Sequence, residues 1–374
     1  MNRIRTGAYR PKPSRIVEIP KSDGTTRPLA ISCIEDKIVQ LAVRNILERI
    51  YEPIFLNCSH GFRGGKGCQT ALVDLNHNLI SPECGAVVEI DLRKFFNTIP
   101  HVHLLRLLRI KIKDERLLRL VIKLLKAPTI GPDGKVCENE VGSPQGSILS
   151  PLLANIFLHY VVDIWFVWMR DKSPHWKGRM VRYADDVVFT FGSIGTGNQF
   201  LRLLRGRLAS FGISINESKT RVLANGKLPA HIASGKGKKL ETFTFLGFQH
   251  VWCKSVSSKT GKTFWRVKLF TCPNRFKKKL AEISLYIKKN RHQRGLVPKV
   301  VQIANGYLGY FAINDNLKRI AQFLHRVRWI LHKFLNRRSQ RLSFDKDKLE
   351  RLLKFHRYPR PIIRHKLFFN RKFA

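Results

Sequence analysis

The chain has 374 residues, 44% hydrophobic and 10% aromatic, with 69 Lys and Arg against 26 Asp and Glu, a formal charge of +43. That length supports a sizeable core in two or three structural domains, and so large a positive surplus repels itself unless an anion such as polyphosphate neutralises it. Seven scattered cysteines, odd in number and nowhere spaced as CxxC, exclude a disulfide framework or a zinc ribbon.

The N-terminus has no apolar signal core and runs to Arg10-Pro11-Lys12-Pro13, which reads as extended chain. Together with the cysteines this gives the expectation of a reducing, cytoplasmic compartment, bacterial, archaeal or the matrix of an organelle. Turn signals at Ser22-Asp23-Gly24 and from Gly61 to Gly67 mark a mixed first region, 1–85. Ala86 to Leu92 then reads as a buried strand carrying an acid, Asp91, near its end. Ser150-Pro151 looks like an N-cap and N1 pair opening a helix of about 20 residues, roughly 30 Å long. The apolar stretch from Leu152 to Met169 follows, but Asn155, His159 and Asp163 put a polar stripe along it, so it is read as a core helix and not a membrane span. Val181 to Phe191 reads as a strand pair with Ala184-Asp185-Asp186 as its turn. Phe200, Leu203, Leu204 and Leu208 form one helix face, closed by Gly212 at C′, and Ile213 and Ile215 begin a further strand. This order predicts an α+β fold: an antiparallel sheet with helices packed on one face.

Residues 275–374 hold 27 Lys and Arg against 5 Asp and Glu. Leu317, Ile320, Ala321, Leu324, Val327, Leu331 and Phe334 fall at helical spacing. Lys318, Arg319, Arg326, Arg328, Lys333 and Arg337, with the adjoining Arg338, take the other faces. Few acids intervene to pair with them, which favours contact with a nucleic-acid backbone.

The candidate chemistry lies in three acids. Phosphoryl transfer needs positioned metal ions that activate a hydroxyl and neutralise charge on a leaving pyrophosphate, and Mg²⁺ takes carboxylate oxygens for that purpose. Asp91 at a strand end, facing Asp185 and Asp186 on a hairpin tip, has that setting. An Asp pair in a turn is weak by itself, because turns favour Asp.

The neighbouring residues resemble the group II intron reverse transcriptases almost from end to end. Tyr9 to Pro13, Ile19-Pro20-Lys21, Gly24 with Arg27 to Ile31, and Asp36 to Gln40 are similar to that family's first fingers block. Glu52 to Phe55 and Ser59-His60-Gly61-Phe62-Arg63 are similar to the next. Glu89-Ile90-Asp91 to Phe96 resembles the first catalytic motif and Tyr183-Ala184-Asp185-Asp186 the second. Gly142 to Ser147 with Ser150 to Asn155 resembles the long fourth block. Phe211-Gly212 to Thr220 and Phe243 to Phe248 resemble the last palm blocks, and Gly306-Tyr307 with Tyr310-Phe311 an aromatic cluster of the thumb.

The resemblance implies a right-hand polymerase: fingers over 1–85, palm over 86–250, a connection at 251–273, a helical thumb or maturase domain at 274–338, and a basic tail from 339 to 374. It implies two Mg²⁺ ions on Asp91, Asp185 and Asp186, and an RNA template, a DNA or RNA primer and deoxynucleoside triphosphates as partners. Phe96 would be the steric gate against a ribose 2′-OH. Lys21 and Arg27 would grip the triphosphate, Gln145 would line the nucleotide pocket between Pro144 and Gly146, and Lys219 would lie near the leaving phosphate. Tyr183 and Ala184 would support the catalytic turn. His159 and Asp163 are read as satisfied polar residues behind the site.

Some positions depart from the family pattern. Ala30-Ile31-Ser32 stands where Gly-Ile-Pro is usual, Gly64-Gly65-Lys66 lacks a proline, and the chain starts close to the first fingers block without an endonuclease module at its other end. Three functions remain open: a polymerase that also binds structured intron RNA, a maturase acting only in splicing, and a domesticated enzyme of phage defence or repair. The intact acid triad favours the first. Neither oligomeric state nor priming mode is legible.

Overall fold

The computed structural model describes residues 2–20, 26–257, 260–337 and 345–367. Lys21 and Arg338 lie outside the described residues. The chain divides into two compact units between Glu241 and Thr242. In the first unit the strands are β1 (Ser14–Pro20), β2 (Thr26–Ile31), β3 (Ser59–His60), β4 (Ala86–Asp91), β5 (Thr129–Ile130), β6 (Val136–Cys137), β7 (Arg179–Tyr183), β8 (Asp186–Phe191) and β9 (Arg221–Ala224). The second unit holds β10 (Phe243–Phe245), β11 (Phe248–Val256) and β12 (Thr263–Thr271).

A five-stranded sheet in the order β3-β7-β8-β4-β9 forms the centre of the first unit. Its neighbours are antiparallel except for β3 beside β7. Ala86, Val87 and Val88 are buried in succession, as suits a central strand covered on both faces. Phe166, Phe189, Phe191 and Phe200 pack together against the sheet, with Phe189 and Phe200 centroids 4.6 Å apart. The fold is α+β, as the alternation of elements predicts, but the central strand is covered on both faces and not on one.

Several local expectations shift. Ser150 is the first helical residue, not the cap; Leu149 holds that position, and the Ser150 hydroxyl turns back to donate to the Pro144 carbonyl at 2.8 Å. The helix continues to Lys172 through a π-helical turn at His159–Asp163, which periodicity alone does not reveal. It is long and apolar enough to cross a membrane, yet 67% of its most apolar window is buried in the protein. On the helix Ile194–Ala209, Phe200, Leu204 and Leu208 are buried while Leu203 is 43% exposed. The cap is Ser210, so Gly212, at φ +73°, sits one residue beyond C′. Ile215 makes only a single bridge with Leu92, and the strand forms later, at β9 along β4.

In the second unit β11 lies between β10 and β12. Residues 243–250, grouped by sequence with the catalytic sheet, belong instead to this second sheet: Phe243–Phe245 pair with β11, and β11 pairs with β12 in a nine-residue register from Phe248↔Thr271 to Val256↔Thr263. The expected connection is thus a hairpin. Among the described residues the α-helices Pro273–Asn290, Leu296–Phe311, Leu317–Leu335 and Lys346–Phe355 follow. Tyr307 stacks on Phe323 at 3.6 Å, and the Tyr310 hydroxyl donates to the Leu246 carbonyl at 2.8 Å. The aromatic cluster therefore joins helix to helix and helix to sheet within this unit.

Candidate active site

Register brings the acids together. Asp91 ends β4 directly opposite Asp186, the first residue of β8. Asp186 is therefore a strand residue, and the turn proper is Ala184-Asp185. Ala184 has φ +55°, a left-handed conformation that costs an L-residue about 1–2 kcal/mol. The neighbours impose it: the Ala184 N–H donates to the His60 carbonyl at 3.0 Å, and Arg182 Nη1 donates to the Ala184 carbonyl at 3.0 Å. Gly61, at φ +82°, lies against this turn, where a Cβ would stand 3.1 Å from the Ala184 nitrogen.

Arg182 is the foundation of the hairpin, and no sequence signal marks it. It is fully buried, yet every part of its guanidinium is engaged. It forms a two-point pair with Asp163, donates to Asn155 Oδ1 at 2.8 Å and reaches Ser59 Oγ at 2.6 Å. Asn155 in turn donates to the Gly61 carbonyl at 3.0 Å. Asp163 is satisfied behind the site, as expected. His159 is buried beside it, and burial holds its pKa below the ordinary value, favouring the neutral ring.

The acids differ in setting. Asp91 is oriented by Asn216, whose Nδ2 donates to Asp91 Oδ2 at 3.0 Å, and Lys219 Nζ lies 3.6 Å from the same oxygen. Asp185 is half-buried, and desolvation raises its carboxyl pKa, reinforced by the charge of Asp91 and partly offset by its own backbone N–H, Arg27 and Arg182. Arg27, exposed on β2, is thus within electrostatic reach of the turn. Asp186 is exposed at the edge.

The Pro144-Gln145-Gly146 turn is braced by β2, whose Ala30 N–H donates to the Gln145 carbonyl at 2.7 Å. Gly146, at φ +107°, passes so near that a Cβ would stand 2.5 Å from the Ala30 carbonyl oxygen. Gln40 accepts from the Ile148 N–H at 3.1 Å and holds the far side of the loop. Gln145 and Pro144 line a cavity of about 210 Å³ with Asn97, Thr129 and Asn139, and Gln145 Nε2 is 3.3 Å from Asn97 Oδ1. Phe96 is half-buried against Phe95 and does not line that cavity, although its carbonyl accepts from Ser143 N–H at 2.7 Å beside it.

Among the described residues no group of three or more His, Cys, Asp or Glu forms a ready metal cage. The donor chemistry nonetheless suits Mg²⁺, which is held by one or two carboxylates plus substrate phosphates and does not require an all-protein cage. Desolvation, with a smaller contribution from the Asp91 charge, disfavours the charged form of Asp185, a cost that a bound cation would relieve.

Of the basic residues on the helix Leu317–Leu335, Lys318, Arg319 and Arg326 are exposed. Arg328 pairs with Glu350, Lys333 lies 5.2 Å from the Trp329 ring centre, and Arg337 5.9 Å from that of Phe334.

Residues 19–250 match the family model described as reverse transcriptase (RNA-dependent DNA polymerase). An uncharacterized 91 kDa protein in the cob intron of Schizosaccharomyces pombe is 45% identical over 175 residues, 46% of this chain and 20% of its own length. The group II intron-encoded protein LtrA of Lactococcus lactis subsp. cremoris is 44% identical over 160 residues, 42% of this chain and 26% of its own. Protein YkfC of Escherichia coli K12 is 37% identical over 250 residues, 58% of this chain and 65% of its own. The chain spans less than half the length of the first curated relatives it matches. Among solved structures, telomerase from Candida albicans aligns over 94% of this chain and 64% of its own at 12% identity, with a TM-score of 0.47.

Proposed function

This chain belongs to the reverse transcriptase (RNA-dependent DNA polymerase) family, alongside group II intron-encoded relatives, and from that premise we propose that it copies an RNA template into DNA, extending a DNA or RNA primer with deoxynucleoside triphosphates. The observation that carries the reading is the register placing Asp91 opposite Asp186, with Asp185 on the adjoining turn. Reverse transcriptases use divalent metal ions; here two Mg²⁺ ions are assigned to Asp91, Asp185 and Asp186. When bound, they supply charge neutralisation on the phosphates and acidify the primer hydroxyl. In the reaction the primer 3′-oxygen bonds to the α-phosphorus, the bond to pyrophosphate breaks, and the hydroxyl proton leaves to solvent.

The chain's own groups take distinct tasks. Asn216 fixes the Asp91 carboxylate, and Lys219, beside the same oxygen, compensates charge on the departing pyrophosphate. Arg27 and Lys21 bind the triphosphate, and Gln145 contacts the nucleotide from the cavity it lines. Phe96 excludes a 2′-OH. Tyr183 and Ala184 shape the turn, while Pro144 and Gly146 shape the loop around Gln145. Lys318, Arg319, Arg326, Arg328, Lys333 and Arg337 of the second unit, with the adjoining Arg338, bind RNA, including a structured intron RNA whose splicing the protein assists; relatives named as a group II intron-encoded protein and a nuclear intron maturase support that role. The scattered, odd-numbered cysteines of the sequence favour a reducing, cytoplasmic compartment.

The test is Asp185→Asn with Asp186→Asn. The change keeps side-chain size and removes up to two negative charges from the metal ligands. DNA synthesis on a primed RNA is expected to fall at least about a thousandfold, on the order of 4 kcal/mol of barrier, with RNA affinity within a few-fold. Absence of Mg²⁺-dependent synthesis by the wild-type chain on any primed RNA overturns the reading.

A further inference from the structure

Phe62 stands at φ +58° and is 55% exposed. A bulky residue is a rare occupant of that left-handed region, which suits Gly or Asn. The residues on either side are fastened. The Gly61 N–H donates to the Lys66 carbonyl at 2.8 Å, and its own carbonyl accepts from Asn155. Arg63 is held by Glu52 and by the Leu56 and Ser59 carbonyls at 2.8 and 2.6 Å. The backbone between them is thus dictated, while the ring contributes little to the core.

Topology gives the ring its place. β3 runs parallel to β7, with His60 opposite Tyr183, so the loop beginning at Gly61 leaves the sheet at the end that carries the Ala184-Asp185 turn. The Asp91↔Asp186 register puts the end of β4 at that same edge. Two strand spacings of about 4.8 Å separate β3 from β8. The strand that leads into Phe62 therefore lies roughly 10 Å from the one that begins at Asp186, about three stacked nucleotides. Proteins that hold single strands stack bases on exposed aromatic rings within a basic surface.

We infer that Phe62 is a stacking contact for a nucleotide of the strand bound over the acidic edge, within about three nucleotides of the reacting end. The inference rests on the polymerase reading above, and it applies to primer or template alike.

The test places 2-aminopurine at successive positions near the primer 3′ end, in the primer or in the template, and titrates the full chain without divalent metal or nucleotide. With the wild-type chain the fluorescence should change most at one position, and the strand carrying that position identifies the partner. Phe62→Gly should abolish the change and weaken primer–template binding roughly tenfold, while its melting temperature stays at or above wild type because the backbone strain is relieved. Phe62→Trp should restore affinity, with its indole emission quenched on binding. Should the glycine variant fail to fold, Phe62→Asn, which tolerates the same backbone, replaces it. Unchanged affinity and fluorescence in the glycine or asparagine variant overturn the inference. Because binding is measured without synthesis, that failure is distinguishable from failure of the polymerase reading.

Discussion

Arg182 shows how much of a site can rest on one side chain that touches no substrate. Its charge is buried, so its worth depends on Asp163, Asn155, Ser59 and the Ala184 carbonyl all being in place. Removing one member of a buried ion pair leaves the other uncompensated, at a cost of about 3–5 kcal/mol. Arg182→Met is therefore expected to lower the urea-unfolding stability by that amount. Adding Asp163→Leu should recover much of it, since an apolar pair of similar volume is often tolerated in place of a buried ion pair. DNA synthesis should stay depressed in the double variant, because the Ala184 carbonyl has lost its donor. Recovery of activity along with stability would mean that Arg182 supports the fold and does not position the turn. The three acids were legible in sequence because each sits in a short, local motif, although their meeting depends on the β4–β8 register. Arg182 was not: its partners lie 19, 27 and 123 residues away, and an arginine in a strand otherwise reads as solvent-facing.

At the scale of elements, patterns that depend on one period were legible and those that depend on a partner were not. The β7–β8 hairpin and the face of the helix Leu317–Leu335 follow from local alternation and helical spacing. The π-helical turn at His159–Asp163 and the placement of residues 243–250 in the sheet built on the β11–β12 hairpin are decided by what packs or pairs with them. That hairpin sheet also carries His250, fully buried and stacked on Phe243 at 4.6 Å. Burial depresses its pKa to about 3, from the ordinary 6.5. The folded state thus holds the ring neutral where the unfolded chain takes a proton. Its contribution to stability is complete above pH 6.5 and is lost as pH falls toward 3, by about 1.4 kcal/mol per unit once well below 6. Denaturant midpoints measured between pH 7 and 5 should fall in the wild type and fall less in His250→Leu. Equal slopes would show that the ring is protonated in the folded sheet or relaxes to reach water.

The whole molecule carries +43, and how that charge is spent on RNA is a question of which cations are already occupied. Each phosphate neutralised by Lys or Arg releases condensed counterions, with a log–log salt slope of about 0.7–0.9 per contact. RNA affinity is expected to fall with salt at a slope steeper than about −4, corresponding to six or more contacts at the single-strand value. Lys318, Arg319 and Arg326 are exposed on one helix, Arg319 over the Phe276 ring and bonded to Gln322, neither of which neutralises its charge, whereas Arg328 is already matched by Glu350. Replacing the first three with Gln should make the slope shallower by about 2, because each removes one released ion. Arg328→Gln should move it by a smaller amount, since Glu350 is then freed to repel the phosphate that the arginine no longer draws, and affinity suffers more than counterion release. Filter binding across a salt series separates these outcomes. A slope unchanged in the triple variant places the RNA on other faces, and the excess charge of this helix would then be a solvated surface.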